Sequence, residues 1–119
     1  MSKVDLERRR APRASVSIPI QLSPRGEAQP ATLTNLSTSG LGCEFGEAMT
    51  EMTLVGIDLD LPGASEPARV QGVVVRCDKI RGVNPPTYEI GVFFTEMSDE
   101  TRAVVMEFVE QQLSGDFYR

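Results

Sequence analysis

Val16, Ile18, Ile20 and Leu22 alternate with Ser15, Ser17 and Gln21 in the stretch ASVSIPIQL. A period of two places one set on a buried face and the other in water, which specifies a half-buried β-strand. Pro19 falls on the polar parity, as suits an edge or a bulge. Five more runs follow. PATLTNL (30–36) reads as the strand returning across the turn SPRGE (23–27), and GLGCEF (40–45) as a short third strand. In MTLVGIDLDL (52–61), Val55, Ile57, Leu59 and Leu61 face inward, Asp58 and Asp60 face outward, and Pro62–Gly63 ends the run. ARVQGVVVRC (68–77) is apolar on both parities after Gly72, which requires a bulge or a strand covered on both faces. TYEIGVFF (87–94) aligns Tyr88, Ile90, Val92 and Phe94 on one face. Six short strands with turn-rich links predict an all-β-dominated fold, a six-stranded antiparallel barrel.

The period changes near the C-terminus. Ser98 is placed to N-cap, and Asp99 and Glu100 favour the positive end of a helix dipole. Val105, Phe108, Val109 and Leu113 then share one helical face, and Gly115 offers a stop. The expected organisation is a single domain: a flexible arm over 1–13, a barrel over 14–97, a helix over 98–114 and a tail over 115–119.

Charge narrows the function. The chain carries 12 basic and 17 acidic residues for a net charge of −5. Yet Lys3, Arg8, Arg9, Arg10 and Arg13 cluster at the start against only Asp5 and Glu7. An acidic body argues against duplex nucleic acid, which needs a broad basic face. A short basic arm suits a ligand with few negative charges. Two tyrosines, five phenylalanines and no tryptophan, most of them on core parity, also disfavour an RNA-binding barrel. No apolar run approaches the ~18 residues of a membrane span, and the charged start is no secretory signal, so a cytoplasmic protein without membrane insertion is expected. With no histidine, and with Cys43 and Cys77 at a spacing that matches no zinc or redox motif, no metal, no cofactor and no catalytic site is expected. Asp58, Asp60, Asp99 and Glu100 read as solvated charges and not as an acid–base pair.

Two stretches carry the chemistry. Four arginines within RRRAPR repel one another unless something negative joins them, and each is a planar fork of five N–H donors. NLSTSG (35–40) has the composition of a turn between strands. A hairpin turning near Arg25 with Leu33 inward opposite Ile18 or Val16 sets Arg13 opposite Thr38 or Leu36, beside Ser37. The arm and the polar turn are therefore expected to meet at one end of the barrel. Arginine forks bind phosphate oxygens and the O6 and N7 of guanine, and their planes stack on bases. Asn35 and Ser37 offer donors and acceptors, and Gly40 admits a flat ligand. A guanine nucleotide with two phosphodiester charges fits this chemistry.

Arg8, Arg9 and Arg13 in RRRAPR resemble the RRxxxR motif of PilZ domains. Asn35, Ser37 and Gly40 in NLSTSG resemble the second motif of that family, (D/N)xSxxG. VVVRC, YEIGVFF and the C-terminal helix extend the similarity over roughly residues 7–113. The resemblance implies a bacterial receptor for cyclic di-GMP, with Arg8, Arg9 and Arg13 gripping phosphates and guanine edges. It also implies that Asn35 and Ser37 read a guanine while Gly40 shapes the turn. Arg10 falls in the spacer and has a lesser part. The implied protein is a motility or biofilm regulator, a monomer or a ligand-dependent dimer, in which ordering of the arm alters contact with an effector protein. The alternative is a degenerate PilZ-like adaptor that binds no nucleotide. Such adaptors usually lack the arginines that this chain keeps.

Overall fold

The computed structural model describes residues 13–117, with side chains through Leu113. Arg8, Arg9 and Arg10 lie outside the described residues. Six strands appear where the alternation places them: β1 (Ala14–Ser23), β2 (Gln29–Leu36), β3 (Gly40–Phe45), β4 (Leu54–Leu59), β5 (Ala68–Lys79) and β6 (Tyr88–Glu96). All neighbouring pairs are antiparallel and the sheet closes into a barrel in the order β1-β2-β3-β6-β5-β4. The expected six-stranded antiparallel barrel with a C-terminal helix is thus the observed fold.

Closure turns the alternation into a core. Ile20 and Leu22 of β1, Leu33 of β2, Ile57 and Leu59 of β4 and Ile90 of β6 are all at most 2% exposed. Removing such side chains from water contributes ~1.5–3 kcal/mol apiece. The outward partners, among them Ser15, Ser17, Gln21 and Asp60, stay exposed. Pro19 faces Thr32 on β2, whereas the ladder to β4 begins only at Ile20, so Pro19 sits where β1 has a single neighbour.

The hairpin register combines one expectation with one surprise. Ile18 opposes Leu33, as inward packing demands, but a bulge between Ser15 and Ile18 moves the pairing by one residue and sets Ala14 against Leu36. Of the two readings of β5, the bulge is correct. The strand is irregular between Gln71 and Gly72 and again between Val74 and Arg76. Val74 is buried and Val75 is 38% exposed.

The helix α1 (Asp99–Phe117) packs against β5 and β1. Ser98 caps it as expected: its Oγ accepts from the Thr101 amide at 3.1 Å, and its carbonyl accepts from Arg102 N at 2.9 Å. Val105, Phe108 and Val109 are buried, with Leu113 packed alongside. The helix does not stop at residue 114. It continues through Gly115 to Phe117, since one helical glycine costs only about 1 kcal/mol and three turns already docked on the barrel outweigh it. No helix among the described residues is long and apolar enough to cross a membrane.

Cys43 and Cys77 are both free thiols. Burial, and after it the neighbouring Glu44 carboxylate, push the Cys43 thiol from 9.0 up to about 12. Well below pH 9 it is neutral whether the chain is folded or not. Between pH 9 and 12 only the unfolded chain ionises there, so this group's stabilisation is lost as pH rises through that window. Urea unfolding midpoints are expected to fall from pH 9 to pH 11, and to fall less steeply in Cys43→Ala.

Candidate functional site

A row of four residues crosses the outer wall of the barrel. Asn35 on β2 pairs with Gly42 on β3, Gly42 with Gly91 on β6, and Gly91 with Arg76 on β5. Adjacent strands are ~4.8 Å apart, so the backbones of Asn35 and Arg76 stand roughly 14 Å from each other across two residues without side chains. Glycine inside a strand marks a place where another group comes close. Here a groove of about 300 Å³ lies over the two glycines. Arg13, Asn35 and Ser39 line one part of it, and Val75, Arg76 and Phe93 another.

Arg13 precedes β1, and its Nη1 donates a hydrogen bond to Asn35 Oδ1. The two halves of the proposed site, 22 residues apart in the chain, therefore touch. The bulge in β1 helps by advancing the pairing so that Arg13 comes in beside the NLSTSG turn. Asn35 itself lies across Gly42: a Cβ there would overlap Asn35 Nδ2 and come within 3.1 Å of its Cγ.

Ser37 takes a different place from the one its motif role implies. It is fully buried and works inside the turn. Its Oγ accepts from Gly40 N at 3.1 Å and from Ser39 N at 3.2 Å, and donates to Gly40 O at 3.2 Å. The Ser37 amide also donates to Gly40 O at 2.9 Å. The hydroxyl thus satisfies the backbone of the turn that shapes the groove's rim. Ser39 stands on the rim, and its carbonyl accepts from Phe94 N at 2.9 Å, tying the turn to β6. Gly40 lies on the floor, where a Cβ would overlap the Val92 carbonyl oxygen.

Gly42, Gly91, Arg76, Val75 and Phe93 were not among the residues expected from sequence. A signal existed for the glycines, since both sit inside strand-like runs (GLGCEF and YEIGVFF) where the backbone gains nothing from them. Phe93 is 40% exposed on the outward parity of β6, where it lines the groove.

A second cleft, about 430 Å³, lies between the β4–β5 connection and α1. Glu66, Glu100 and Glu107 line it, with no basic residue among the described ones. The carboxylates of β4 and α1 are also separated in role. Asp58 is held by Arg69 at 2.8 Å on the outer wall, and Asp99 and Glu100 occupy the first turn of α1.

Residues 7–111 match the PilZ domain family. No curated protein sequence matches the chain. Among solved structures, the Bacillus subtilis inhibitor of motility MotI/DgrA superposes with a TM-score of 0.76 at 13% identity, over 91% of this chain and 52% of that one. The PilZ domain of YcgR from Escherichia coli with c-di-GMP gives 0.73 at 14% identity, over 92% and 94%. The K. pneumonia MrkH–c-di-GMP complex gives 0.69 at 12% identity, over 92% and 55%. The chain spans about half the length of the first and third of these, and identities this low establish likeness of fold.

The two glycines of β3 are expected to fail differently on gaining a methyl group. Gly40→Ala sets a Cβ against backbone that cannot yield, and should lower unfolding stability by about 1–3 kcal/mol in urea titration. Gly42→Ala meets the tip of the Asn35 side chain, which can swing away. It should cost less stability and instead shift the Asn35 side-chain amide resonances in an ¹H–¹⁵N spectrum.

Proposed function

The chain belongs to the PilZ domain family, and on that premise we propose that it is a receptor for cyclic di-GMP that signals through an effector protein. The observation that carries this reading is the Arg13–Asn35 hydrogen bond at the side of a glycine-floored groove. Cyclic di-GMP is flat at each base and carries two phosphodiester charges. The groove offers a backbone floor for a base, an aromatic edge at Phe93 and a cationic fork at Arg13. The relatives YcgR and MrkH were solved with this dinucleotide, which adds independent support.

In this reading Arg8 and Arg9 join Arg13 in gripping phosphates and guanine edges, and Asn35 contacts a guanine. Ser37 and Gly40 contribute by holding the turn and admitting the base. One bidentate arginine–guanine contact supplies ~1–3 kcal/mol of discrimination. Closing residues 1–13 over the ligand opposes binding by roughly 1–2 kcal/mol per residue fixed. Several contacts must therefore form together, and the loss of one arginine is severe. Closure also covers part of the barrel and moves positive charge across an acidic body, which presents the effector with a new surface. The protein acts in the cytoplasm as a switch and not as an enzyme.

Isothermal titration with cyclic di-GMP, with cyclic di-AMP and GTP as controls, tests this. Micromolar binding selective for cyclic di-GMP is expected from the wild type, and its loss from Arg9→Ala and Arg13→Ala with unchanged circular dichroism. Wild-type affinity in both variants would remove these arginines from the site, and a silent wild type would favour the adaptor reading. Amide exchange across residues 3–14 should slow when cyclic di-GMP is added, and an unchanged rate would refute the closing step.

A further inference from the structure

Arg76 faces Asn35 and Arg13 from the far wall of the groove, and neither sequence motif makes use of it. The β5 bulge between Val74 and Arg76 turns the side chain toward β6, where its partner is Gly91. Because Gly91 has no Cβ, Arg76 lies down over the floor. A methyl on Gly91 would come within 3.3 Å of Arg76 Cβ and 3.4 Å of its Nε. Two carboxylates hold the guanidinium there: Nη2 lies 3.1 Å from Glu89 Oε1, and Nη1 lies 3.7 Å from Asp78 Oδ2. The Nε–H is shut away from solvent and has no hydrogen-bond partner among the described residues. A buried donor on a charged group is costly to leave unspent, and the Arg76 side chain is 39% exposed, so an acceptor in the groove that draws the fork outward relieves that cost.

The surroundings say which acceptor fits. With Glu89 and Asp78 beside it, Arg76 stands in a locally negative neighbourhood that repels a phosphate. A neutral base edge meets no such repulsion. The major-groove edge of guanine presents two acceptors, O6 and N7, at the spacing of an arginine fork. Adenine replaces the first by an N6 amino donor, which opposes an N–H. Given that the groove binds cyclic di-GMP, we propose that Arg76 is a specificity-determining residue that reads the O6/N7 edge of the guanine lying on the Gly42–Gly91 floor. Glu89 and Asp78 position its fork for that edge and keep phosphate off it.

The test uses the full chain with Arg76→Lys, which keeps the charge and loses the fork, and Arg76→Gln as a second variant, both checked for unchanged thermal unfolding. Each should weaken cyclic di-GMP binding roughly tenfold. The 7-deaza analogue of cyclic di-GMP, which lacks N7, should bind the wild type more weakly than cyclic di-GMP does. It should lose clearly less against Arg76→Lys, since the contact is already gone. If wild type binds cyclic di-GMP and both variants bind it equally well, or if the deaza penalty is the same in wild type and Arg76→Lys, this assignment is wrong while the receptor reading stands. If wild type binds no cyclic di-GMP, both fall.

Discussion

Closure of the six strands into a small barrel governs everything else in this protein. A barrel of this size has an interior filled by its own side chains, so any ligand must sit on the outer wall or at a rim. The alternation that packs Leu33, Ile57 and Ile90 inside also decides which residues face outward. A pleated outer wall normally bristles with side chains. Here Gly42 and Gly91, paired side by side, carry none, and Asn35 and Arg76 lean over them from either side. The site is made as much by missing side chains as by present ones.

Within that site the polar residues divide their work by depth. Ser37 is buried and satisfies the turn; Ser39, half-buried, reaches the rim; Asn35 meets Arg13 over the floor. A motif written as a string of letters hides this division. The serine is needed because a buried turn must have its amides satisfied. The asparagine side chain lies over Gly42, where Arg13 reaches it.

The electrostatics follow the same economy. The body of the protein is acidic, and the second cleft, under the helix, is lined by glutamates. Around the groove, positive charge comes from Arg13 on one side and Arg76 on the other, and Arg76 is flanked by Glu89 and Asp78. One side of the groove is therefore suited to phosphates and the other to a neutral base edge.

The strands, their inward faces, the capped helix and the meeting of Arg13 with the NLSTSG turn were all legible in the sequence, because each rests on local periodicity or on a short hairpin. The boundary of α1 was not, because docking against the barrel overrides the weak preference of Gly115. Nor was the β1 bulge, which depends on fitting two strands at once to their neighbours. The floor of the site was the least legible part. Gly42, Gly91 and Arg76 lie in three strands far apart in the chain, and only non-local register brings them into one row. A shift of a single residue in β3, β5 or β6 would send them to opposite faces. Alternation and motif chemistry by themselves determined that this chain is a small barrel with an arginine arm. The tertiary pairing of β3, β6 and β5 decided that a groove exists and what stands on its far wall, because cross-strand register is a property of the closed sheet and not of any one segment.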